Sequence, residues 1–160
     1  MLSVPHLWPL ARRTLPLLAL LAAACQPTPS SPALDDWAEC ADCGRDAYDR
    51  VVALGTPVVP TLSDWLLNGP PADRVARVRA SSERVVSGAT GSLSTQQVIV
   101  VNKQLADYTR QYKRRSALAL GGIGGTAART ALCRARLAAP APLELAVIDT
   151  AIGRTGSPCP

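Results

Sequence analysis

From about residue 95 to 120, the apolar residues Val98, Val101, Leu105, Tyr108 and Tyr112 return at alternating steps of three and four. That is the period of one helix face, so the spacing predicts a single amphipathic helix of some seven turns against which the rest of the chain packs. Gln97 to Val101 is β-branched enough to read as a short strand, yet the seam passes through it without a change of phase, which favours helix. Composition points the same way. The 160 residues contain 26 Ala and no Phe, and a β-sandwich would need more Val, Ile, Thr and aromatic residues. Small side chains suit closely approaching helices. With 48% hydrophobic and 18% charged residues, the chain is not of the disordered class.

Gly and Pro mark where the other helices stop. Asp35 or Asp36 caps a predicted helix running towards Leu54, with Gly55 as its stop. Thr56-Pro57 restarts it, placing Pro in the first turn where its missing N–H costs nothing. In that second helix Val58, Leu62 and Trp65 share a face, and Asn68-Gly69-Pro70-Pro71 ends it. A third, about 72 to 87, places Val75, Val78, Ser82 and Val85 on one stripe, and a Gly/Ser/Thr loop follows from Ser87 to Ser94. Two short helices, about 126 to 138 and 142 to 152, close the chain after the long one.

Self-similarity adds a second level. Ala53-Leu54-Gly55, Gly122-Ile123-Gly124 and Ala151-Ile152-Gly153 recur at spacings of 69 and 29. Residues 46 to 68 and 112 to 153 resemble HEAT-like repeats of the short-period bacterial kind first described in bilin lyases, while the segment between them matches poorly. The resemblance implies an all-α fold, a short α-solenoid of antiparallel helix pairs with the Gly at the turn within each pair. It implies shape and no particular activity.

Ahead of the helices, Arg12 and Arg13 precede the apolar run Thr14 to Ala24, the n-region and h-region of an export signal. Eleven residues including Pro16 are too few for a membrane span, which needs about 20. Leu21-Ala22-Ala23-Ala24-Cys25 resembles the lipobox of bacterial lipoproteins, which implies cleavage before Cys25 and lipidation of that residue. Gln26 to Pro32 is a Pro/Ser/Thr spacer with nothing to bury. The expected organisation is a signal peptide at 1–24, a lipidated tether at 25–34 and a HEAT-like helical domain at 35–160. The expected location is the bacterial cell envelope, and Gln26 after the Cys implies the outer membrane, facing the periplasm, in a Gram-negative host.

Loss of Arg12 and Arg13 with the leader lowers the formal charge from +5 by two, to +3. The distribution is more informative than the sum. Asp35, Asp36, Glu39, Asp42, Asp46 and Asp49 crowd the front, whereas residues 74 to 136 carry twelve Lys or Arg against Glu83 and Asp107. Arg77 and Arg84 lie seven apart, as do Lys103 and Arg110, with Arg114 one turn further, so two helices each present a basic stripe. These five residues are the candidate contacts for an acidic envelope protein, weighed against the plainer reading of solvated faces with ordinary pairs such as Arg79–Glu83. Nucleic acid is not an expected partner, because the chain reads as exported.

Four cysteines remain after Cys25, an even number in an oxidising compartment, and three pairings are possible. Cys40 and Cys43 stand one helical turn apart, about 5 Å between Cα atoms, within disulfide range. The ends of a solenoid do not meet, which favours Cys40–Cys43 with Cys133–Cys159. A redox role for Cys40 and Cys43 is the alternative function, but Asp36, Glu39 and Asp42 would raise a thiol pKa there. Zinc is disfavoured by the long gap between Cys43 and Cys133, and no metal or cofactor is expected. Gly122-Ile123-Gly124-Gly125-Thr126-Ala127 fits a dinucleotide fingerprint on paper, but that motif needs a preceding strand and Arg114 to Leu120 reads as helix. The sole His is His6, in the leader. The expectation is therefore a non-enzymatic scaffold or adaptor without a small-molecule substrate. A binder of anionic lipid or polymer, acting through Arg110 and Arg114, is a further alternative.

Overall fold

The computed structural model describes residues 31–40, 42, 44–88, 91–138 and 141–159. The expected leader, residues 25–30 of the expected tether with Cys25, and Cys43 lie outside the described residues, whereas residues 32–34, expected in the tether, form the first turn of α1 with Leu34 buried. The described residues are all-helical: α1 (Pro32–Glu39), α2 (Arg45–Ala53), a single 3-10 turn (Thr56–Val58), α3 (Val59–Asn68), α4 (Ala72–Ser87), α5 (Thr95–Ile123), α6 (Gly125–Leu137) and α7 (Pro142–Arg154). Among them, no helix is long and apolar enough to cross a membrane.

The long helix forms as its seam predicts, and begins earlier than a strand at Gln97 would allow. Ser94 and Gln97 build a capping box: the Gln97 amide donates to Ser94 Oγ at 3.3 Å, and the Ser94 amide donates to Gln97 Oε1 at 2.8 Å. With 29 residues, α5 is about 43 Å long. Every other helix packs against it. In a one-dimensional stack each repeat touches only its neighbours, whereas here α3 also lies on α6 and α1 lies on α5, so the helices gather around one axis.

The helix expected from Asp35 to Leu54 is two helices. Cys40 is extended and Gly44 caps α2. The cause is tertiary. The last carbonyls of a helix have no partner within it, and Arg115 of α5 supplies one, its Nη1 donating to the Ala38 carbonyl at 3.0 Å. Trp37 Nε1 donates back to the Arg115 carbonyl at 3.2 Å. Arg115 is buried, and burial pushes its pKa below the ordinary guanidinium value.

The glycines of the recurring motif have three different jobs. Gly55 and Gly124 turn the chain with nearly the same backbone, φ 66° and ψ −150° or −160°, a region open to Gly alone. Gly122 does not turn it, contrary to the expectation, but lies within α5 where Tyr48 and Val52 of α2 press on the helix. Gly153 stands within α7 with open space around it.

The main core joins α1, α2, α3, α6 and α7 to the C-terminal half of α5, with Leu34, Trp37, Leu62, Tyr112, Leu120, Leu132 and Ile148 among its largest members. Trp65 and Tyr112 meet at 4.9 Å between ring centroids. The acidic front and basic middle of the sequence meet where arginines of α4 reach the carboxylates of α1. Arg74 donates to Asp35 and, at 2.7 Å, to Glu39, while its guanidinium lies 5.7 Å from the Trp65 ring centre. Burial opposes the charge of Arg74, but the hydrogen bond to Asp35 and the adjacent acids outweigh it, and its pKa is raised.

Among the described residues, the buried hydroxyls of Tyr108 and Tyr112 have no hydrogen-bond partner. Burial raises the Tyr112 pKa well above the ordinary tyrosine value, opposed by Arg74. The folded state then holds its proton where the unfolded chain has lost it, so stability falls as pH rises through and beyond about 10. Tyr112→Phe removes a hydroxyl that makes no bond, and is expected to change stability at neutral pH by less than about 1 kcal/mol. It should also flatten the alkaline limb of a pH–stability curve measured by urea denaturation. A neutral-pH loss well above that figure would show that the hydroxyl is bonded after all.

Candidate functional site

Between the end of α3, the middle of α5 and the start of α7 lies a cleft of about 450 Å³, within the range of ligand pockets. The residues that form it come from three amphipathic helices. Leu66, Ala117 and Ile148 are core residues whose outer edges make an apolar floor, extended by Val147. Leu143 is 73% exposed at the lip, a large apolar side chain left in water at the first turn of α7. Pro142 starts that turn and brings Leu143 and Glu144 to the cleft.

Three cations line the cleft from one face of α5: Arg110, Lys113 and Arg114. Their i, i+3, i+4 spacing stacks them on adjacent turns. Arg110 Nη1 donates to Asp107 at 3.0 Å, which holds that guanidinium beside the opening. Against the three cations the lining contains one carboxylate, Glu144. Such a surface attracts an anion and offers an apolar floor beneath it; it assembles no nucleophile with a base.

The five residues singled out in the sequence do not form one surface. Arg110 and Arg114 reach the cleft. Arg77 is engaged elsewhere, donating to Asp73 at 2.6 Å and lying 3.8 Å from Glu39 of α1. Its hydrogen bond is the main cause of the lowered Asp73 pKa. Arg84 turns back on α4, its Nε donating to the Ala80 carbonyl at 3.3 Å, and Lys103 is exposed on the N-terminal half of α5. Of the two candidate stripes, only Arg110 and Arg114 reach the cleft, where Lys113 joins them on α5. Lys113 was legible, being three residues from Arg110, whereas the α7 side of the cleft carried no signal of its own.

Cys133 and Cys159 are joined, with Cα atoms 5.6 Å apart, which fixes the C-terminal tail to α6. Cys40 is also disulfide-bonded, and its partner lies outside the described residues. The glycine run after Leu120 is preceded by helix α5 and followed by α6, so the strand that a dinucleotide fingerprint requires is not the element before it. Compared with family models, with curated proteins and with solved structures, the chain matches none.

Proposed function

We propose that the chain is a lipid-anchored, non-enzymatic interaction module of the bacterial cell envelope. Its cleft beside α5 takes an acidic segment of another envelope protein. The observation that carries this reading is the joining of an apolar floor to three cations in one opening. An apolar side chain of the partner fills the floor, as interface anchors do, and neighbouring carboxylates meet Arg110, Lys113 and Arg114. The anchor rests on the sequence Leu21 to Cys25, and the tether on the Pro-rich residues after it. The HEAT-like resemblance is supported by the shared turn geometry of Gly55 and Gly124, and the packing of all helices on α5 makes the arrangement more compact than an open stack.

A photo-crosslinking residue in place of Leu143, in cells expressing the full chain, tests the reading. The expected product joins the chain to an acidic envelope protein. Arg110→Glu with Arg114→Glu should reduce that product about tenfold or more, with the helical circular dichroism unchanged. Equal crosslinking by the charge-reversed chain sinks the proposal.

A further inference from the structure

Behind its Gly/Ser/Thr loop, the α4–α5 hairpin carries exposed apolar residues that the cleft does not use. Gln97 Nε2 donates to the Val86 carbonyl at 2.7 Å, closing the two helices onto each other beside the loop. No residue of α4 is fully buried, and Val101 and Leu105 are buried outside the main core cluster, so this end of the hairpin stands apart from the body. Val85 is 78% exposed, and Val98, Ile99 and Val100 are all exposed at the start of α5. The eighteen positions from Val85 to Asn102 contain no charged residue, and Arg84 and Lys103 bound them on either side.

We infer that this exposed patch, Val85 with Val98, Ile99 and Val100, enters the headgroup region of an anionic phospholipid bilayer, with Arg84 and Lys103 at the phosphates. Two features favour lipid over a protein groove. Successive helical residues point 100° apart, so Val98, Ile99, Val100 and Val101 together go round the helix, and only Val101 of the four is buried. A groove covers one side of a helix, whereas a segment apolar all round suits an environment apolar all round. The second feature is charge. The uncharged stretch is bounded by Arg84 and Lys103, with Glu83 beside Arg84, and each basic residue near an anionic surface adds attraction. Ser94, Thr95 and Gln96 supply hydroxyl and amide groups between them, which suits the depth of headgroups.

If Cys25 is lipidated as proposed above, anchor and patch can reach one bilayer. Trp37 bonded to Arg115 places α1 sixteen residues along α5 from Ile99, about 24 Å. The six steps from Ser31 back to Cys25 span at most about 20 Å, and α1 itself adds to that reach. The patch interaction does not depend on the anchor.

Among the described residues the core cluster begins at Leu34, so residues 26–160 retain every described member of it and are the form tested, without leader or lipid. Flotation of this form with vesicles of phosphatidylethanolamine and phosphatidylglycerol should show binding that weakens with salt, and little binding to phosphatidylcholine alone. Ile99→Asp places a charge on a side chain already exposed and should reduce partition at least tenfold. Arg84→Glu with Lys103→Glu should reduce it about tenfold and remove the salt dependence. Circular dichroism confirms that each variant keeps its helices. The inference is overturned if the unmodified body does not float with the anionic vesicles, or if Ile99→Asp floats as well as the unmodified body. It is equally overturned if the patch proves to pair two copies, seen as a dimer that Ile99→Asp dissociates without vesicle binding.

Discussion

Gly121→Ala is expected to destabilise the fold by about 1–2 kcal/mol, and Gly121→Val by about 3 kcal/mol, in urea denaturation followed by circular dichroism. The sign is the test, because within a helix Gly→Ala ordinarily gains up to about 1 kcal/mol. Here a Cβ would stand 2.9 Å from the Ala151 Cα and 3.0 Å from its carbonyl oxygen. Those are backbone atoms, so no rotamer change relieves the contact, and α7 itself must withdraw. It is held on several sides. Ile148, Ala151 and Ile152 are buried, Arg136 Nε donates to Asp149 at 2.7 Å, and the disulfide at Cys159 follows directly after it. Gly122→Ala meets α2 instead, with Val52 Cγ2 at 2.6 Å and the Tyr48 side chain closer still, and should destabilise as well, because Val52 is stiff at χ1 and the Tyr48 ring packs on Trp37. Gly153→Ala is the control. Nothing lies within 4 Å of its Cβ position, and it should stabilise by about 0.5–1 kcal/mol. A gain from Gly121→Ala comparable to that of Gly153→Ala would show that α5 and α7 are not in close contact.

These three glycines also mark what could be read from the chain without its structure. The recurrence of Gly122 and Gly153 was visible, but their use was not. A sequence pattern reports that a small residue is present, not which helix comes up against it, and Gly122 was expected to turn a chain that runs straight through it. The long helix was legible because Val101, Leu105, Tyr108 and Tyr112 obey its period, although Val98 of the same seam is exposed. The break between α1 and α2 was not, since it depends on Arg115 reaching back 77 positions to the Ala38 carbonyl. Charge behaved in the same way. The acidic front and the basic middle were plain, yet only the fold brings Arg74 to Asp35 and Glu39 and so removes Arg77 from the candidate surface. Arg110 and Arg114 were identified from spacing on their own helix, whereas the apolar floor beneath them required α3 and α7 to arrive there.

Breaking the Cys133–Cys159 bond is expected to lower the unfolding free energy by about 3 kcal/mol. The bond closes a loop of 26 residues, for which the loss of chain entropy in the unfolded state is worth about 3.5 kcal/mol on the loop-closure model. That loop contains the whole of α7, whose contacts with α5 and α6 must otherwise overcome the freedom of a chain end. Cys159→Ser isolates this bond, because a reductant would also open the disulfide at Cys40. It alters a residue at the edge of the structure and leaves Cys133 in the core, so no large cavity accompanies the change. The melting temperature should fall by roughly 10 °C at this chain length. Hydrogen exchange should show the loss of protection concentrated in α7, with Val101 to Tyr112 of α5 little affected at temperatures below the main transition. If the loss is instead spread evenly over all the helices, α7 unfolds only with the whole molecule, and the bond acts through global stability alone. If Cys159→Ser leaves both the melting temperature and α7 protection unchanged, the contacts made by Ile148, Ala151 and Ile152 already hold this helix without the tail. In that outcome the cleft wall at Leu143 and Val147 would not depend on oxidation.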